Sequence, residues 1–591
     1  MRPAHSRFVN SPTTILLLTG AFFLLSLGSQ LPSPQRVDRI LMGQTLTHTQ
    51  QDQLTKQRAQ HYEAKNAVRQ QIGEALLLGQ YRGDYEARVN YERRNAHYTD
   101  HDKLALLRGY ILQSPLGDEG ASYSALSQMN PGELDLDPHF YNYGGVFLYP
   151  LGGIIFLFKQ LNLITVTNNL NYYLNSPREI EKLYIFGRAL NLIFFLGIII
   201  IVYRLTESLV SRRAAIFAAT VFALSQMGWL LVLSARPHLS AAFWVFLAAL
   251  LLAHYARSGQ VKYCSWSILC YGLGVGSLLP AVICGLMYPI LLVGQIPVRR
   301  ALVISALAAI GGVGIYVATN PYAVINFPEW ISNFFFHAAS DRYARASFDI
   351  PRLLWFLQEL TYALCFPISV IAVGYALMAR FTQAPNLVRR FSYLTIAMVL
   401  LGGSTLGTAR ILYFVVPFVC LLSGIAIDEL LKPRTRLPLR ALRVALVCIL
   451  FVPSVSSAGI FLFDSLTEDR LHESYYEWAA DFGANPSSVG VIRDPTPYHV
   501  PPFPFLSSPM VSMLHLEKEA DPLPRYVLVS SGQRPLWEES WARRYYERKL
   551  TSGIEPVPRW VWYLGIEGQR FNRYHNQIDV FEIRQEHRSS S

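Results

Sequence analysis

The sequence predicts an all-α polytopic membrane protein with about eleven transmembrane helices, a juxtamembrane element and a small C-terminal α/β domain. Hydrophobic residues make up 51 % of the 591-residue chain, charged residues only 16 %, and the mean hydropathy is +0.23. Apolar runs of span length recur along the chain, and basic residues cluster in the short loops between them. Residues 464–591 lack such runs and instead show the pattern of short strands and one helix.

The first apolar run, Thr14 to Leu27, follows a basic N-terminal stretch. This pattern is typical of a signal-peptide core as well as of a first membrane span. We favour an uncleaved span, and under either interpretation the segment that follows is exported.

Residues 33–142 form a long polar segment. Its stretch from Gln35 to Leu107 is rich in Gln, Arg, Glu and Ala, which predicts solvent-facing helices. We expect these helices to cover the external face of the protein, and we favour this structural role over partner binding. After them the polar loop Leu116–Ala125 contains two adjacent carboxylates, Asp118 and Glu119.

The stretch 143–161 decides the predicted topology. If it crossed the membrane, the alternation of spans would place every basic loop outside, against the positive-inside rule. Its Gly144-Gly145 pair and Pro150 suit a bent element at the outer interface. The chain is therefore expected to have a cytoplasmic N-terminus and an extracytoplasmic C-terminal domain. The later apolar runs are 183–203, 214–233, 239–256, 264–279, 281–296, 301–318, 353–378, 391–406, 410–427 and 442–463.

Two domains are predicted. Residues 1–463 form the membrane domain, in which 33–182 is the first extracytoplasmic loop, and residues 464–591 form the C-terminal domain. In the latter we expect a helix from Glu468 to Phe482 and strands near Ser488–Ile492, Tyr526–Ser530 and Asp579–Ile583. The proline-rich stretch from Asp494 to Phe505 is expected to be a loop.

Composition excludes several classes of function. The net charge of +11 is spread over short loops and forms no basic stripe, which argues against a nucleic-acid partner. All six cysteines lie in apolar runs, so neither a disulfide framework nor a zinc site of cysteines is predicted. A divalent metal is compatible with the chemistry below, but no ligand spacing in the sequence supports one.

Several ionisable residues are predicted to converge on the external surface. Residues of this kind near a membrane boundary are costly to bury and are often functional, although each taken alone can also be an interface anchor. A carboxylate there can act as a general base on an acceptor hydroxyl, while arginine and histidine stabilise a departing phosphate. The candidates are Asp118 as catalytic base and Glu119 as its partner, with Tyr123, His139, Arg188, Arg236, His238, His337 and Arg410 as substrate contacts.

The order of these motifs resembles the GT-C superfamily of integral membrane glycosyltransferases, in particular the protein O-mannosyltransferase and aminoarabinose transferase branches. The segments that carry the resemblance are Asp118-Glu119 followed by Tyr123, the stretch Asp137-Pro-His-Phe-Tyr-Asn-Tyr to Tyr149-Pro150, Arg188-Ala-Leu-Asn-Leu, Arg212-Arg213-Ala-Ala, Arg410-Ile-Leu-Tyr-Phe-Val-Val-Pro-Phe and the piece from Asp469 to Trp478. The chain departs from the family pattern at Arg236-Pro-His238, where an acidic residue is common, and at Gly276-Ser-Leu-Leu279, where a lysine is common.

The resemblance implies a polyprenyl-phosphate-linked sugar as donor and Asp118 in the place of the catalytic aspartate. With the predicted topology, we expect an inverting transfer on the outer face of a bacterial inner membrane. It leaves open whether the acceptor is a glycan, a lipid or a protein. Two other classes of protein remain alternatives on the residues alone. A transporter or flippase would need charges deep in its spans and internal repeats, and a non-catalytic scaffold would tolerate substitution of Asp118.

Overall fold

The structure, a computed structural model, describes residues 12–29, 31–56, 96–114, 116, 119–339, 349–379, 384–405, 412–432, 437–466, 472–497, 500–516, 522–553 and 577–586. Most of these residues are helical, and one sheet lies near the C-terminus. The predicted fold class, a helical membrane protein with a small C-terminal α/β domain, is confirmed.

Within the described residues, five helices are long and apolar enough to cross a membrane, or up to seven spans if two bent helix pairs are counted as one span each. The prediction of about eleven spans therefore stays a prediction. The five are Arg178–Leu209, His238–Ser258, Val298–Thr319, Tyr413–Leu430 and Arg443–Leu462; the bent pairs are Arg212–Ala223 with Gln226–Val232, and Ile350–Leu364 with Phe366–Met378; shorter apolar helices are Pro12–Ser26, Gly145–Gln160 and the Leu279–Leu292 segment.

The apolar run 353–378, which the sequence pattern presented as one span, is instead two helices that meet at 118°. Cys365 between them has a positive φ of 69°, and Pro367 opens the second helix. A proline cannot donate the backbone hydrogen bond that would continue the first helix, so the chain turns here.

Small residues let the helices of the membrane domain approach closely. Gly424 packs against Ala214 and Ala218, and a Cβ atom at position 424 would lie 2.5 Å from the Ala218 nitrogen. Interfaces of small residues are the usual means by which apolar helices associate in lipid. The aromatic rings of Phe22 and Phe23 tie the first helix to this bundle.

The remaining described helices are shorter or more polar. They are Pro34–Leu41, Asp100–Leu112, Glu119–Leu126, Leu170–Asn175, Val261–Ser277, Tyr322–Ile325, Phe327–Ala339, Asn386–Thr405, Glu473–Ala484 and Arg534–Glu538, and the span window Arg443–Leu462 belongs to the helix Leu437–Leu466.

The sheet has five strands in the order β2-β1-β3-β5-β4. The β1 strand pairs in parallel with β2 and β3, whereas β5 pairs antiparallel with β3 and β4. The strands are β1 Val489–Val491, β2 Met510–Ser512, β3 Tyr526–Ser530, β4 Tyr546–Ser552 and β5 Ile578–Ile583. Three of the strands were predicted; β2 and β4 were not.

The two faces of the sheet have different partners. Tyr526 and Leu528 on one face share a core with the N-terminal polar segment, and Val527 and Val529 on the other face pack around Trp537. The polar segment also bonds directly to the sheet, since the Tyr98 nitrogen donates to the carbonyl of Met510 at 3.0 Å. The two segments predicted to be extracytoplasmic therefore form one layer.

Candidate active site

A buried ion pair lies where the predicted catalytic loop meets the longest helix. Arg188 donates from Nε to Glu119 Oε1 and from Nη2 to Oε2, both at 3.0 Å. Both side chains have no solvent exposure. This two-bond geometry is the strongest arrangement an arginine and a carboxylate can make.

Further hydrogen bonds tie three other segments of the chain to this pair. Arg188 Nη1 donates to the carbonyls of Leu27 and Ser29 at 2.9 and 2.6 Å, beyond the end of the first helix. The Glu119 carboxylate accepts from the Ser114 hydroxyl at 2.5 Å and from the Ala235 nitrogen at 3.1 Å. Since an isolated buried charge costs several kcal/mol, these bonds are what permits the burial.

The pair differs from what the sequence led us to expect of its members. Arg188 was predicted to contact a donor phosphate, yet all three of its nitrogens donate to protein groups. Both carboxylate oxygens of Glu119 likewise accept hydrogen bonds from protein groups. The reason is their position: Arg188 lies at a helix crossing and is covered on all sides by protein. In this geometry both side chains fix the start of the helix Glu119–Leu126.

Three other predicted residues surround the same region. Tyr123 donates to the carbonyl of Leu183 at 2.8 Å and packs on Tyr184 with ring centroids 4.6 Å apart. Arg236 is 4 % exposed and its Nη2 donates to the carbonyl of Leu116 at 2.7 Å, so it too holds the loop that leads to position 118. His238 is 5 % exposed.

Some predicted site residues cannot be placed. Asp118 and Arg410 lie outside the described residues, and of His337 only the backbone, in the helix Phe327–Ala339, is described.

His139 belongs to a second polar cluster, which it forms with Asp137 and Glu329. These three residues each offer one ligand atom, and the three atoms lie within 4.8 Å of one another. His139 Nδ1 is 3.0 Å from Glu329 Oε2 and 3.9 Å from Asp137 Oδ2. Asp137 is 2 % exposed, whereas His139 and Glu329 are 34 % and 31 % exposed. The cluster is thus open on one side and closed on the other.

Local structure explains how this cluster forms. The His139 nitrogen donates to Asp137 Oδ1 at 3.0 Å, a tight turn in which His139 adopts a φ of 46°. Glu329 comes from the helix Phe327–Ala339, which follows the apolar helix Val298–Thr319. The Tyr141 hydroxyl donates to Asp137 at 3.0 Å, and Asn326 also donates to that carboxylate.

The cluster carries net negative charge, because two carboxylates surround one imidazole. The hydrogen bond to Glu329 raises the pKa of His139 above 6.5, and the charges of Glu329, Asp137 and Asp135 act in the same direction. Burial and the same carboxylates raise the pKa of Tyr141, so its hydroxyl stays protonated and donates. Two carboxylates and an imidazole form a donor set that suits Mg²⁺, Mn²⁺ or Zn²⁺.

The sequence revealed only part of this cluster. His139 was predicted as a substrate contact, but Asp137 and Glu329 were not singled out as site residues. The spacing of Asp137 and His139 on either side of Pro138 is a local signal that could have indicated paired ligands. Glu329 lies 190 positions from His139 in the chain, and no local pattern could have linked the two.

Some known structures resemble parts of this chain. No family model and no curated protein sequence matches the chain. The apo oligosaccharyltransferase of Archaeoglobus fulgidus aligns with 59 % of this chain at a TM-score of 0.40 and 16 % identity; the match spans about half, 52 %, of that enzyme. ArnT from Cupriavidus metallidurans bound to undecaprenyl phosphate aligns with 78 % of this chain and 93 % of its own length, at a TM-score of 0.37 and 12 % identity. These scores leave the assignment of function to the chain's own residues.

Removal of one partner from the buried pair should destabilise the protein severely. Arg188→Met leaves the Glu119 charge buried and unpaired, with an expected loss of about 3–5 kcal/mol. The double variant Arg188→Met/Glu119→Met removes both charges and should recover most of that loss. Unfolding in detergent measures both, and a double variant no more stable than Arg188→Met would contradict the pairing.

The titration of His139 should depend on Glu329. Because the Glu329 carboxylate favours the charged imidazole, the midpoint should lie above 6.5 in the wild-type protein and fall towards 6.5 in Glu329→Gln. NMR of histidine-labelled protein without divalent cations measures the midpoint, with His139→Gln to assign the signal. Glu133→Gln, at an exposed position in the same loop, is the control and should leave the midpoint unchanged.

Proposed function

We propose that this protein is a GT-C-type membrane glycosyltransferase, which transfers a hexosyl or pentosyl group from a polyprenyl-phosphate donor to an extracytoplasmic glycan, lipid or protein in a bacterial inner membrane. One observation carries the proposal. The cluster of Asp137, His139 and Glu329 lies beside the end of an apolar helix, with exposed apolar residues such as Val324 and Ile325 next to it. A lipid phosphate sits at this level when its chain lies in the bilayer.

The charge of the cluster favours a bound cation. Two carboxylates repel an anionic phosphate, so the donor can approach only if positive charge is added between them. Asp137, His139 and Glu329 would hold a divalent cation, which when bound neutralises phosphate charge and stabilises the leaving group. Tyr141 and Asn326 hold the Asp137 carboxylate in place, as partners of metal ligands commonly do.

Asp118 is proposed as the general base. It would take the proton of the acceptor hydroxyl while the acceptor oxygen forms a bond to the anomeric carbon from the face opposite the phosphate. The bond between that carbon and the phosphate oxygen breaks, and the polyprenyl phosphate leaves with the electron pair. Inversion follows from this single displacement. The ion pair of Glu119 and Arg188 supports the role of Asp118, because it anchors the next residue in the chain.

Asp118→Asn should abolish transfer without unfolding the protein. An amide cannot accept the proton, while the adjacent ion pair is untouched. A deletion strain is complemented with wild type, Asp118→Asn or Glu133→Gln, and its envelope glycans, lipids and proteins are compared by mass spectrometry at equal protein levels.

We expect one sugar-bearing species to be present with wild type and Glu133→Gln and absent with Asp118→Asn. Restoration of that species by Asp118→Asn would refute the role of Asp118. If deletion changed no sugar-bearing molecule, the proposed function itself would be wrong.

A further inference from the structure

Six basic side chains form a surface at the end of the membrane domain that the sequence predicts to be cytoplasmic. Four of them are exposed, and none forms an ion pair or a side-chain hydrogen bond within the part of the chain that the structure describes. The segments that carry them, 254–263, 293–300 and 384–390, contain no Asp or Glu. The six residues of this basic surface are Arg257, Lys262, Arg299, Arg300, Arg389 and Arg390.

Contacts between the three segments bring these residues together. Arg300 Cζ lies 5.8 Å from the centre of the Tyr255 ring, which joins the first turn of the helix Val298–Thr319 to the segment that contains Arg257. Arg390 packs so closely against Gly294 that a side chain at position 294 would collide with it. The like charges of the three segments are therefore concentrated on one surface.

The basic surface lacks any negative group of its own to offset this repulsion. Arg299 and Arg300 lie in the first turn of the helix Val298–Thr319, where the helix dipole favours anions, and that turn contains no acidic residue. Two buried donor atoms in the same segments, Gln295 Nε2 and Arg389 Nε, also find no acceptor among the described residues. An anion bound here would offset both the repulsion and the unfavourable dipole.

We propose that the basic surface binds the headgroup of an anionic phospholipid. An exposed apolar strip begins beside it, because Leu302 and Val303 follow Arg299 by three and four residues and share its face of the helix. They are 57 % and 53 % exposed, and the strip continues through the exposed Leu307 and Ile310. A lipid whose phosphate lies at Arg299 places its acyl chains along this strip, whereas a soluble phosphate would leave the strip unused.

The basic surface and the acidic cluster lie at opposite ends of one helix. At 1.5 Å per residue, the 22 residues of Val298–Thr319 span about 33 Å, close to the hydrocarbon thickness of a bilayer. Beyond the far end, Asn320 donates to the carbonyl of Gly276 at 3.3 Å, and the chain leads on to Glu329. The bound lipid therefore belongs to the leaflet opposite the candidate active site, and it would hold this helix at a fixed depth. The inference does not depend on the reaction that the protein catalyses.

Lipid binding to the purified full-length protein, measured by native mass spectrometry in detergent, tests this inference. The probes are cardiolipin, phosphatidylglycerol and the zwitterionic phosphatidylethanolamine with the same acyl chains. The wild-type protein should bind the two anionic lipids at least thirtyfold more tightly than phosphatidylethanolamine. Arg299→Gln should weaken the binding of anionic lipid about fivefold, and Arg299→Gln/Arg300→Gln about thirtyfold.

Further variants separate a specific site from the effect of net charge. Arg204→Gln is the matched control, because Arg204 is an exposed arginine on the same predicted side that already pairs with Glu207 at 3.5 Å. It should leave the binding of anionic lipid unchanged. Arg299→Lys/Arg300→Lys keeps both charges and should retain most of the binding. Arg389→Gln/Arg390→Gln should weaken it even if the first double variant fails to fold.

A soluble competitor distinguishes a lipid from a free phosphate. Glycerophosphoglycerol has the headgroup of phosphatidylglycerol without its acyl chains, and even in large excess it should not displace the lipid. Displacement would identify a soluble anion as the ligand and overturn the proposal.

Three other results would also overturn it. They are equal binding of anionic and zwitterionic lipids by the wild-type protein, unchanged binding in both double Gln variants, and equal losses in Arg204→Gln and Arg299→Gln. None of these measurements involves sugar transfer, so the proposed function is tested separately.

Discussion

The bidentate ion pair between Arg188 and Glu119 is the interaction on which the arrangement of the site depends. It lies in a fully buried position, where an unpaired charge would be too costly to keep. Its hydrogen bonds reach the segment after the first helix, the loop before the helix Glu119–Leu126 and the turn at Ala235. Segments far apart in the chain are thereby held at one point, from which the predicted catalytic loop emerges.

The polar residues of the candidate site fall into a buried group and a solvent-exposed group. Glu119, Arg188 and Arg236 are buried, and each bonds to other parts of the protein. Asp137, His139 and Glu329 form an open cluster of net negative charge. Glu119, Asp137 and His139 come from one stretch of the chain, whereas Arg188, Arg236 and Glu329 come from later segments. Tyr143, which follows His139 in the same stretch, lies edge-on to His238 with ring centroids 6.5 Å apart.

Much of the fold could be predicted because its helices and strands correspond to local patterns in the sequence. Long apolar runs predict the helices, and a short, fully buried run predicts strands such as Tyr526–Ser530. The β4 strand was missed because its charged centre, Glu547 to Lys549, lies on an exposed edge. The site was harder to predict, since the same ionisable residue can be a buried partner or an open ligand. Arg188 is a buried ion-pair partner, whereas Glu329 is an open candidate ligand. Only contacts between distant segments of the chain distinguish these two roles.

In the proposed function, Asp137, His139 and Glu329 would hold a cation against the phosphate of a polyprenyl donor. Pulsed EPR of Mn²⁺ bound to the purified protein, with undecaprenyl phosphate added, measures this contact through the coupling of the metal to ³¹P and to histidine ¹⁴N. Both couplings are expected in the wild-type protein, with loss of bound Mn²⁺ in Glu329→Gln and retention in Glu133→Gln. Bound Mn²⁺ without ³¹P coupling, or with both couplings unchanged in Glu329→Gln, would contradict it.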